Sequence, residues 1–131
     1  MKYLVLVGVL LLSPVFSHAG DNWLLGKWQT DKIKTLTYLK TDQKADQDQL
    51  TYLEERLTPM MMEFKEGSII VEFENQQYVH QYTIIEQSET VIKLDVAGDD
   101  DPKKTFIKDE RSMYLITPFD VMDREYFRRI D

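Results

Sequence analysis

Cysteine is absent from this 131-residue chain and only two histidines are present. Without thiols there are no disulfides, no thiolate metal sites and no cysteine nucleophile, so the fold must stand on its apolar core. His18 falls in an amino-terminal stretch that reads as a leader, which would leave His80 as the only imidazole. Histidine-rich metal sites and Ser-His-Asp triads then have almost nothing to draw on. Ser68, Ser88 and Ser112 fall in predicted turns, and no nucleophile-elbow pattern surrounds any of them. No catalytic set, no cofactor motif and no metal site is expected. Basic charge is in deficit as well: 16 Lys and Arg stand against 23 Asp and Glu, a formal charge of −7. An acidic surface argues against nucleic acid and anionic lipid headgroups as partners.

Long hydrophobic runs are also missing. The longest begins at Tyr3 and ends at Leu12, well short of the roughly 20 residues that span a bilayer. It follows Lys2 and precedes Ser17-His18-Ala19, small residues at the positions a signal peptidase reads. Residues 1–19 are therefore expected to be a secretory signal peptide, with no membrane span after cleavage and a periplasmic or secreted product. No cysteine follows the run, which excludes a lipoprotein anchor. Residues 20–131 have the size of a single domain with one core.

Two periodicities divide that domain. From Asp31 to Leu57 the pattern is helical, in two pieces. Asp31 or Thr30 can cap the first, where Ile33, Leu36 and Leu39 recur at three-residue steps and are expected to form its buried stripe. Thr41 to Asp48 is polar apart from Ala45 and reads as a link. Asp46 with Gln49 resembles a capping box for a second helix that buries Leu50, Leu53 and Leu57. Thr58-Pro59 ends it, because the proline ring disfavours helix in the residue before it. After Pro59 apolar residues alternate with a period of two. They make about seven short strands separated by turns at Glu66-Gly67, Asn75-Gln76-Gln77, 87–89 and 98–102, and a further strand near Leu24 to Gln29 makes about eight. Eight strands close a barrel whose interior is just filled by side chains or holds one small ligand.

That order of elements, with Gly26-Lys27-Trp28 on the first strand, resembles the calycins, the superfamily of lipocalins and fatty-acid-binding proteins. The resemblance implies an up-and-down antiparallel barrel or half-barrel with two short helices between its first and second strands. It also implies that Trp28 plugs one end and that an arginine near the last strand, Arg128 or Arg129, packs on it. A single sheet curled round the helical segment, as in cystatin-like folds, is an alternative.

Tyr78, His80 and Tyr82 share one face of a strand and could present two hydroxyls and an imidazole to the interior, suited to the polar end of an amphipathic ligand. Equally, that face could point outward while Val79 and Ile85 fill the core. Phe64 and Phe73 are candidate apolar contacts. Arg124-Glu125-Tyr126 is similar to the Arg-x-Tyr pair with which fatty-acid-binding proteins hold a carboxylate, although arginines at a strand end are also ordinary solvated groups. Asp99-Asp100-Asp101 reads as an acidic turn rather than a calcium loop, and Met60-Met61-Met62 as core filling. Two functional classes remain open. One is an exported, non-enzymatic protein that binds a small hydrophobic or amphipathic ligand; the other is a protein-interaction or inhibitor module with a filled barrel, acting through its surface.

Overall fold

The computed structural model describes residues 22–43, 45–119 and 122–130, so the leader expected at residues 1–19 lies outside it. Strand β1 (Gly26–Thr30) is followed by helices α1 (Lys32–Thr41) and α2 (Gln47–Arg56). Seven strands complete the chain: β2 (Met61–Lys65), β3 (Ser68–Phe73), β4 (Gln76–Gln87), β5 (Val91–Val96), β6 (Lys103–Asp109), β7 (Ser112–Ile116) and β8 (Arg124–Arg129). Each strand pairs antiparallel with its neighbour in sequence, and β8 returns to β1 to close the barrel. The closing register is Trp28↔Arg129, Gln29↔Arg128 and Thr30↔Phe127. This pairing excludes both the half-barrel and the curled open sheet.

Local chemistry accounts for the helix ends. Asp31 accepts a hydrogen bond from the Lys34 N–H at the start of α1, and Asp46 and Gln49 form the reciprocal capping box of α2. The buried stripe of α1 differs from the expected one. Thr35, Tyr38 and Leu39 face inward, whereas Ile33 is 80% exposed. At 100° per residue Ile33 lies nearly opposite Thr35, and the helix is oriented by Thr35, whose hydroxyl accepts the Tyr126 N–H at 2.9 Å. Tyr38 and Leu39 pack with Tyr126 of β8, and Leu36, Leu50, Leu53, Tyr114 and Met122 surround them. Helix α2 is held only by its half-buried leucines and buries no residue fully. Helix α1 therefore sits on the outside of β8, and α2 packs against α1.

Alternation along the strands fills the interior. Met62, Phe64, Ile69, Tyr82, Ile92, Leu94, Val96, Phe106, Met113 and Phe127 form one buried cluster with Leu24 and Trp28. Phe64 meets Phe106 edge-on at 5.5 Å and Tyr82 at 6.3 Å between ring centroids. The turn between β3 and β4 is Glu74-Asn75, both in the left-handed region. It is shorter than the Asn75-Gln76-Gln77 turn expected from polarity, and Gln76 and Gln77 belong to β4.

Trp28 closes the base. Its ring is 3% exposed, its Nε1 donates to the Leu24 carbonyl at 2.8 Å, and the Arg129 guanidinium lies 4.4 Å from the ring centroid. Arg129 also donates to the Trp23 and Leu25 carbonyls at 2.7 and 2.9 Å, whereas Arg128 donates to the Gln29 side-chain oxygen at 3.0 Å. Gly26, at φ 120°, lets the chain enter β1 with a backbone that a side chain would strain. Trp28→Ala should lower the unfolding free energy by about 3–5 kcal/mol, read from denaturant midpoints. A loss below about 1 kcal/mol would remove the plug role.

Candidate functional site

The antiparallel order gives the barrel two ends of different character. At the base, the starts of β1, β3, β5 and β7 meet the ends of the other strands around Trp28. At the opposite end, the mouth, a pocket of about 190 Å³ opens into the interior. Its floor and walls are Met60, Met62, Ile69, Val71, Val96, Phe106 and Leu115, and its polar rim is Tyr78, His80, Asp99 and Lys104. No helical residue lines it, so the helices do not form a lid over the mouth.

The inward face of β4 is the one that carries Tyr78, His80 and Tyr82, while Val79 is exposed on the outer face. The register settles this, since His80 stands opposite Ile69 and Tyr78 opposite Val71, both of which line the pocket. Tyr78 and His80 reach the pocket, but Tyr82 lies deeper. Its hydroxyl donates to the Lys65 carbonyl at 2.6 Å and accepts from Asn22 at 3.2 Å, toward the base. Phe64 likewise belongs to the packed layer beneath the pocket. Phe73 is half-buried at the tip of the β3–β4 hairpin, opposite Gln76.

Arg124 and Tyr126 do not join this group. Alternation on β8 sends Phe127 and Glu125 into the barrel, and Arg124 and Tyr126 outward beneath α1. Arg124 lies 4.7 Å from the Tyr38 ring centroid and 4.2 Å from that of Tyr114, and donates to the Tyr126 hydroxyl at 3.2 Å. The pair that resembles a carboxylate clamp is here part of the seam that glues α1 to the sheet. A guanidinium between two phenol faces gains cation–π attraction on both sides, which suits a helix anchor.

The polar rim is ordered by the β5–β6 turn. His80 Nδ1 lies 3.1 Å from the Ala97 carbonyl, which can only accept, so Nδ1 carries the proton and in the neutral imidazole Nε2 is the acceptor. Asp99 accepts the Asp101 N–H at 2.9 Å and pairs with Lys104 at 3.4 Å. Among the described residues no group of acidic or histidine side chains is gathered as a metal site. A larger open groove of about 800 Å³ runs between α2 and Phe119 and Met122 on the outer surface. Its walls are almost wholly apolar, so it offers contact area and little polar chemistry.

The chain matches no protein-family model and no curated protein.

Glu125 is the residue that the sequence reading passed over. It is 7% exposed and cross-strand from Leu115, and its Oε2 lies 3.3 Å from the Thr30 hydroxyl. That hydroxyl also accepts the Met60 N–H at 3.0 Å. A signal was available: if Arg129 packs on an inward Trp28, period two puts positions 127 and 125 on the same inner face. Burial raises its carboxyl to about 6, and the Thr30 hydrogen bond only partly opposes that shift. A raised carboxyl binds its proton more tightly in the folded state. Its contribution is therefore full below about pH 4.5 and is lost as pH rises through about 6. Glu125→Gln, which keeps a partner for Thr30, should flatten that fall and stabilise the protein at pH 7 by up to about 2 kcal/mol. Denaturant melts of both proteins at pH 4.5 and 7 check this, and a variant less stable than the parent at pH 7 would contradict it.

Proposed function

We propose that this chain is an exported, non-enzymatic binding protein of calycin type that takes a small hydrophobic or amphipathic ligand at the mouth of its barrel. The observation that carries this reading is the mouth pocket, with an apolar floor and a short polar rim of Tyr78, His80, Asp99 and Lys104. Ligand sites combine mostly apolar walls with a few placed polar groups in this way. The Phe64, Phe106 and Tyr82 layer stops a ligand from going deeper, so a short acyl chain or a single small ring suits the volume better than a long-chain fatty acid. The closed eight-stranded barrel, the helices after β1 and the Arg129–Trp28 stack all support the calycin assignment. Export rests on the leader-like residues 1–19.

The filled lower core favours a second reading, a module whose barrel is only a scaffold and whose surface meets a protein partner. The pocket separates the two. The mature protein should enhance the fluorescence of neutral N-phenylnaphthylamine, and 1-octanol should displace it. Leu115→Trp, which fills the pocket from its wall, should abolish the enhancement while the circular dichroism and melting temperature stay near the parent's. His80→Ala should weaken 1-octanol severalfold. A folded parent protein that leaves the fluorophore dark would favour the scaffold reading.

A further inference from the structure

The base of the barrel holds a second cleft, of about 420 Å³, lined by Trp23, Trp28, Lys108, Glu110, Arg111 and Arg129. Both tryptophans of the chain meet here, with three cations against one carboxylate, in a protein whose formal charge is −7. Such a local reversal of sign needs a reason. Sealing a barrel takes the indole and one arginine, and neither Lys108 nor Arg111 is required for it.

The strands assemble the cleft in a definite way. Lys108 stands opposite the buried Met113 and Arg129 opposite Trp28, so both occupy inner-face positions at the base ends of β6 and β8. The β6–β7 turn then adds Glu110 and Arg111 at the rim. Arg129 is held by two backbone carbonyls and the Trp28 face, so its charge is fixed before any ligand arrives. Trp23 is half-buried and steadied by its own Nε1 bond to the Ser88 carbonyl at 3.1 Å. It presents a rigid aromatic wall beside the exposed Lys108 and Arg111 side chains.

We propose that this cleft binds a small organic monoanion: a carboxylate or sulfonate carried on a flat apolar body. The anionic group sits between Lys108 and Arg111, where an ammonium and a guanidinium supply charge-assisted donors. The body lies along Trp23, which offers area at little entropic cost. Glu110 and the acidic surface beyond it repel polyanions, which selects for one negative charge. The site is separate from the mouth pocket and does not depend on it.

Two indole N–H resonances give a direct readout, assigned by Trp23→Phe. Titrating the full mature protein with benzoate should shift the Trp23 indole signal to saturation, and added salt should weaken the binding. Benzyl alcohol, alike in shape but neutral, should leave the signal in place. The double variant Lys108→Gln/Arg111→Gln should bind benzoate about tenfold more weakly or worse, whereas Leu115→Trp at the mouth should bind as the parent does. Equal shifts with benzyl alcohol, unchanged affinity in the double variant, or a motionless Trp23 signal at millimolar benzoate would each overturn the proposal.

Discussion

Closure of β8 onto β1 is the constraint on which everything else in this protein depends. The seam is short, three cross-strand pairs, and joins segments about a hundred residues apart in a chain without disulfides. Loop-closure entropy opposes such a contact, and a sheet left open would expose two edges of unpaired backbone. The Arg129 guanidinium answers this at the base. It stacks on Trp28, its own register partner, and reaches across to the carbonyls of Trp23 and Leu25, so one side chain ties the last strand to the segment leading into the first. At the other end of the seam the Thr30 hydroxyl links β1 to the start of β2 and to Glu125 of β8. A carboxylate there is poorly solvated, and its raised protonation range is the cost of placing it inside the wall.

Once the barrel is closed, its interior volume is set, and the side chains decide where space remains. Below the mouth pocket the interior is taken by large rings that meet edge-on and by aliphatic side chains. Toward the mouth, Met60, Val71 and Leu115 are only partly buried, and the inner face ends in Tyr78, His80 and Lys104 instead of further apolar groups. The concavity thus lies at the starts of β4 and β6 and not in the centre of the barrel.

Much of the fold was legible in the sequence because its signals are local. The switch from helical to two-residue period at Pro59, the capping box at Asp46 and Gln49, and the Gly26-x-Trp28 start each act over a few residues. Sidedness was harder where both faces carry apolar residues. On β4, Val79 and Ile85 compete with Tyr82 and Ile84, and only pairing with Ile69 and Val71 decides between them. On β8 the Arg124-x-Tyr126 pattern lies on the outer face, beneath α1. Tyr126 is buried, but against α1 rather than in the barrel, and a buried residue outside the main core leaves no distinct mark on the sequence. Ile33 shows the same limit, because a helix that docks through a hydrogen-bonded Thr35 need not bury its most apolar residue.

The chemistry of the mouth is concentrated in a single hairpin. Gly98, at φ 82°, turns the chain sharply after β5, and this turn places the Ala97 carbonyl against His80 and Asp99 against Lys104. Three consecutive residues therefore fix the proton position of the imidazole, occupy the lysine and shape the rim. Helix α1 lies against β8 with α2 packed on it, and neither lines the mouth pocket. Any selectivity at the mouth must come from how this turn holds its polar groups. A ligand acid group approaching Lys104 would compete with Asp99 for it, while a ligand hydroxyl could donate to His80 Nε2 without disturbing either. On that balance the undisturbed rim suits a neutral donor better than a charged group, in contrast to the cationic side chains gathered at the base.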